Sequence, residues 1–141
     1  HYRSHSFPTR RSSDLETQWL EVADTPKLES ISAALREQVP AGGTSLHNAF
    51  TALSSLPNPP DNIFLLTDGL PTQGEKPPRG SKVSGNQRLK HFRDAIRRLP
   101  SGVPVNTILF PMEGDPMAAS EYWQLARASN GSFMSPSTDW P

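Results

Sequence analysis

Ile63-Phe64-Leu65-Leu66, closed by Thr67-Asp68-Gly69, is the stretch on which the fold turns. Four apolar residues in succession lack the in-out alternation of a strand with one wet face, and they match a parallel strand covered on both sides. On this reading the run is the central strand of the chain. Asp68-Gly69 ends it as a turn, because Asp and Gly both adopt turn conformations readily. Asn58-Pro59-Pro60 bounds it on the other side.

Working outward, helical segments and short apolar runs alternate, the signature of an α/β sheet with crossover helices. Downstream, Pro71 to Gln87 is rich in Pro, Gly, Ser and charge and reads as a long surface loop. Leu89, Phe92, Ile96 and Leu99 then recur at helical spacing, with Arg93, Arg97 and Arg98 on or near the wet side. Val103 to Phe110 reads as a strand with Pro104 near its start, where a missing N–H is tolerated. A loop from Met112 to Pro116 leads to a helix over 118–129 carrying Tyr122, Leu125 and Ala126, stopped by Asn130-Gly131. Ser132 to Ser135 reads as a short last strand.

Upstream, Ala41-Gly42-Gly43 is a turn, and Thr44 is expected to open a helix whose Leu46, Phe50 and Leu53 share a face. Before it, Thr25 is the expected N-cap of a helix with Pro26 at its first helical position and Leu28, Ile31, Leu35 and Val39 on one side; Pro40 ends it. Trp19 to Val22 reads as the frayed end of a strand. No internal repeat is visible.

The first fifteen residues stand apart. His5 to Leu15 resembles one translated frame of a common short-read sequencing adapter, so residues 1–15 are set aside and 16–141 are read as the domain. That exclusion removes three arginines and one aspartate, leaving 11 basic against 13 acidic residues. So mild a balance lacks the basic field of a nucleic-acid binder. With no cysteine there is neither a disulfide framework nor a thiolate metal site, and no apolar run approaches a membrane span.

In an open parallel sheet, ligands collect beyond the carboxyl ends of the strands. Asp68 is at such an end, and Thr44, before the preceding helix, is expected on the same edge. Their carboxylate and hydroxyl are hard oxygen donors suited to Mg²⁺ or Mn²⁺. Gly42-Gly43-Thr44-Ser45-Leu46, followed by Ile63 to Gly69, is similar to the second and third parts of the metal-ion-dependent adhesion site of von Willebrand factor A (vWA) domains, and the resemblance extends over roughly 19–135.

The resemblance implies a three-layer, Rossmann-like vWA fold around a mainly parallel central sheet, here without its N-terminal strand or strands. It also implies a protein-binding module, not an enzyme: a cation held by Thr44, Asp68 and an Asp-x-Ser-x-Ser segment completes its shell with an acidic side chain of a partner protein. That segment is absent before Gly42, so strong metal binding is expected of the intact parent and weak or no binding of this chain. The tail Ser135-Pro136-Ser137-Thr138-Asp139-Trp140-Pro141 is similar to those of bacterial vWA proteins, implying an envelope or membrane-anchored parent. The alternative is a hydrolase or nucleotide-using enzyme with Asp68 catalytic. Against it, no Gly-rich phosphate loop and no acid-base pair at a readable spacing is found.

The remaining polar groups take plainer readings. Glu113 and Asp115 are expected in a solvated loop, and Lys76, Arg79, Lys82 and Arg88, in and after the long loop, as solvated charges with some capacity to steer an acidic partner. His47 and His91 are expected as surface residues, and Ser45 has no nucleophile-elbow context. Tyr122, Trp123 and Trp140 are expected in core packing or tail docking rather than as interface anchors.

Overall fold

The structure, a computed structural model, describes residues 19, 23–39, 42–80 and 82–137. In chain order these form α1 (Thr25–Arg36), α2 (Leu46–Ser54), β1 (Ile63–Thr67), α3 (Gly85–Ile96), β2 (Val105–Leu109), α4 (Ala118–Ala128) and β3 (Phe133–Met134). The strands make one parallel sheet in the order β1-β2-β3, with Ile63 opposite Val105 and Thr67 opposite Leu109. The chain is thus mixed α/β with a parallel sheet.

Helix starts follow local chemistry. Asp24, not Thr25, caps α1, its carboxylate accepting from the Lys27 N–H at 3.1 Å and leaving Thr25 as the first helical residue. Ser84 and Gln87 form a reciprocal capping box on α3, so the last three residues assigned to the long loop are already helical. At the far end of α4, Asn130 takes a left-handed conformation at φ 58°. The Gly131 N–H then reaches the Ala126 carbonyl and the Asn130 N–H that of Arg127, a Schellman stop.

Both crossovers, β1-α3-β2 and β2-α4-β3, advance the same way along the sheet, and right-handed connections therefore set α3 and α4 on one face. The core agrees. Leu46 and Phe50 of α2, Phe92 and Ala95 of α3, and Ala118, Tyr122 and Leu125 of α4 pack with Ile63, Val105 and Leu109 from that single face. Phe92 meets the edge of Tyr122 at 5.0 Å between ring centroids. Pro104 lies just before the paired part of β2 and still contributes, its carbonyl accepting from the Ile63 N–H.

β1 corrects its expected place. Among the described residues it is an edge strand, and Phe64 and Leu66 on its second face are exposed. An apolar run reports that neither face suits water; it carries no information on strand order. α1 is similarly unpartnered, with no buried residue. Trp19 is exposed and outside any strand, while the rest of the expected strand end, 20–22, lies outside the described residues. No described helix is long and apolar enough to cross a membrane.

Candidate functional site

Residue 44 is stitched to the segment that follows β1. The Thr44 N–H donates to Thr72 Oγ1 at 3.0 Å, and the Thr44 carbonyl accepts from the backbone N–H groups of Thr72 and Gln73 at 3.1 and 3.0 Å. Such closeness needs Gly43: a Cβ there would stand 2.5 Å from Gln73 Nε2 and 2.6 Å from Thr72 Oγ1. Thr44 does not open α2 as expected. Ser45 is the cap, accepting from the Asn48 N–H at 3.3 Å while donating to the Gly74 carbonyl at 2.6 Å. The Thr44 side chain is therefore spared from capping and lies exposed.

Asp68 is likewise exposed, one residue beyond β1. Among the described residues its carboxylate makes no hydrogen bond or ion pair, and neither does the Thr44 hydroxyl. Thr44 is thus tied to residues 72 and 73, in the segment that follows Asp68 beyond the carboxyl end of β1.

Beneath this turn lies a clamp. Asp115 Oδ2 accepts from the Leu70 N–H at 2.6 Å and pairs with Arg88 Nη2 at 2.9 Å. Arg88 in turn donates from Nε and Nη2 to the Leu70 carbonyl, at 3.0 and 2.5 Å. The Tyr122 hydroxyl donates to the Gly69 carbonyl at 2.9 Å, which also accepts from Thr67 Oγ1. At Gly69 a Cβ would stand 2.7 Å from Asp115 Oδ2, so the pair fits only against a glycine. The two side chains are 14% and 2% exposed, for Arg88 and Asp115 respectively. Buried this deeply, each charge depends on the other and on the Leu70 peptide for compensation. Burial pushes the Tyr122 phenol up to about 12, keeping it a neutral donor.

Two expectations are overturned here. Asp115 is no solvated loop carboxylate, because Arg88 and a backbone N–H replace its water. Arg88, just past the expected loop, lies in α3 and is buried against Asp115, unlike the exposed Lys76, Arg79 and Lys82. A signal for it was present: Arg88 precedes Phe92 by four residues and so falls on the apolar face of the helix, where an arginine needs a buried partner.

The other residues stay close to their plain readings. Glu113 is exposed. Half-buried His47 accepts at Nε2 from Arg98 Nε at 3.1 Å, and His91 packs beside Gly74. Tyr122 is in the core, whereas Trp123 is half exposed with the Arg127 guanidinium 4.7 Å over its ring. Trp140 lies outside the described residues.

In donor type, Thr44 and Asp68 fit a hard divalent cation. In number they fall short of a shell: two donors leave most of an octahedron to water, and no group of three or more His, Cys, Asp or Glu gathers among the described residues. No family model, no curated protein and no solved structure matches the chain.

Proposed function

We propose that the chain is part of a vWA-type protein-binding module, with a three-layer Rossmann-like architecture in its intact parent, and that the Thr44–Asp68 edge recognises a partner carboxylate through a divalent cation. The supporting observations are that Thr44 and Asp68 are both exposed hard-oxygen donors without an internal partner among the described residues, and that the Thr44 backbone is hydrogen-bonded to the segment following β1. Thr44 is held through its backbone and Asp68 through the turn clamped by Arg88, Asp115 and Tyr122. Backbones held this way are preorganised, which lowers the ordering cost of binding.

In the parent, an Asp-x-Ser-x-Ser segment supplies the donors that this chain lacks. There Thr44, Asp68 and that segment would hold Mg²⁺ or Mn²⁺, and the cation would supply the attraction for an acidic side chain, giving recognition without turnover. The exposed loop over 75–80 borders the stitched segment 72–74 and shapes partner choice.

Mn²⁺ titration followed by NMR line broadening tests the reading on this chain. Broadening centred on the amides of Thr44 and Gly69, with affinity on the order of millimolar, and lost in Asp68→Ala, is the expected result. Broadening centred on Glu75 or Asp94, or unchanged by the substitution, defeats it. In the parent, Asp68→Ala abolishes Mg²⁺-dependent capture while leaving the fold intact.

A further inference from the structure

A cleft of about 660 Å³ lies between the start of α2, residues 74–76 and the C-terminal half of α3. The volume is that of a small-ligand pocket, more than a bare ion fills. Among the described residues no apolar side chain lines it, so an ionic ligand suits it and an apolar one does not.

Its charges are not all spent. Asp94 is engaged twice, by Arg97 Nη1 at 3.2 Å and by Lys90 Nζ at 3.8 Å. Arg98 has no carboxylate. Its Nε donates instead to His47 Nε2 at 3.1 Å, and its Nη groups have no partner among the described residues. An imidazole that accepts at Nε2 keeps its proton on Nδ1, here 3.5 Å from Asn48 Oδ1, and brings no negative charge. One edge of the guanidinium is thereby fixed, while its charge and its Nη edge stay available. The Arg98 backbone is fixed too, its carbonyl accepting from Ser54 Oγ and its N–H donating to the Ala95 carbonyl. Among the described residues Lys76 has no ion pair, and the His91 ring, beside Gly74, has no hydrogen-bond partner. Of the two carboxylates in the described lining, Glu75 alone is unpaired.

We propose that this cleft binds the phosphoryl group of a small phosphomonoester. Two oxygens of the dianion take the Nη edge of Arg98, in the bidentate pairing that suits guanidinium and phosphate. Lys76 neutralises the second charge, and His91 contributes an imidazole N–H. Arg97 stays on Asp94, and the remaining volume takes the organic part of the ligand. The proposal does not rest on the Thr44–Asp68 reading, and its test contains no divalent cation.

Amide chemical shifts of the isotope-labelled chain test it, in titrations with glycerol phosphate, inorganic phosphate and glycerol at constant ionic strength. Glycerol phosphate is expected to shift the amides of His47, Lys76 and Arg98 with a dissociation constant on the order of 1 mM. Inorganic phosphate shifts the same amides at least about threefold more weakly, and glycerol leaves them alone. Arg98→Gln is expected to weaken binding at least about tenfold. Arg79→Gln, at an exposed cation outside the cleft lining, changes it less than about twofold. His47→Leu keeps every lysine and arginine and weakens binding about fivefold, because Arg98 loses the acceptor that orients it. Glu75→Gln strengthens binding. Equal losses from Arg98→Gln and Arg79→Gln reveal a general basic field and overturn the proposal. So do shifts spread over Arg79, Lys82 and Lys90, phosphate binding as tightly as its ester, or no saturable shift up to about 20 mM.

Discussion

At the scale of single residues, two buried hydroxyls behave oppositely. Thr107 is buried in the middle of β2 and its Oγ1 has no hydrogen-bond partner among the described residues. An orphaned buried hydroxyl costs roughly 1–3 kcal/mol, and valine has nearly the same shape. Thr107→Val is therefore expected to stabilise the chain by about 1 kcal/mol, read as a higher urea midpoint at unchanged slope. Tyr122, by contrast, donates to the Gly69 carbonyl and is raised from 10.0 to about 12 by burial. The unfolded chain releases this proton near pH 10 and the folded chain only near 12, so the folded state holds more protons between those values. Stability due to this group is present below pH 10 and falls as pH rises from 10 to 12, by roughly 2–3 kcal/mol in all. Tyr122→Phe is expected to cost about 1 kcal/mol at pH 7 and to lose this alkaline decline. Melting curves of both proteins from pH 8 to 11.5 separate the tyrosine from the lysines that titrate alongside it.

At the scale of elements, much of the fold was legible because its signals are local. The apolar spacing of Leu46 and Phe50, the Asn130-Gly131 stop and the run at 63–66 each announce an element within a few residues. For the proposed site, the positions of Thr44 before α2 and Asp68 after β1 follow from helix and strand boundaries alone. Asp115 could not be read so, because its partners are 27 and 45 residues away at Arg88 and Leu70 and no local pattern pairs a loop carboxylate with them. Nor does the run at 63–66 reveal what lies beside its strand. The clamp makes a prediction at this scale. Asp115→Ala strands the Arg88 charge and is expected to cost roughly 3 kcal/mol; Arg88→Met strands Asp115 with a similar effect. The double variant is expected to cost less than the sum of the two, with a coupling of about 1–3 kcal/mol in denaturant unfolding. Additive losses show that the two side chains do not act as a unit.

At the scale of the whole molecule, stability is concentrated where the three helices meet one face of the sheet. β2 is central, every second side chain from Val105 to Leu109 is buried, and α4 seals it with Tyr122, Leu125 and Ala126. α1 shares none of this: it has 12 residues and no buried one. A helix of that length is marginal in water without a packed face, although the Asp24 cap and Pro26 favour its start. Native-state hydrogen exchange should then divide the chain. Amides of β2 and the middle of α4 are expected to open only with global unfolding, while those of α1 exchange at least about a hundredfold faster, an opening energy lower by roughly 3 kcal/mol or more. Concentration-independent protection of α1 equal to that of β2 indicates instead that Leu28, Ile31 and Leu35 have docked within their own chain. The apolar stripe on α1 and the open sheet face would then be the two halves of one intramolecular contact.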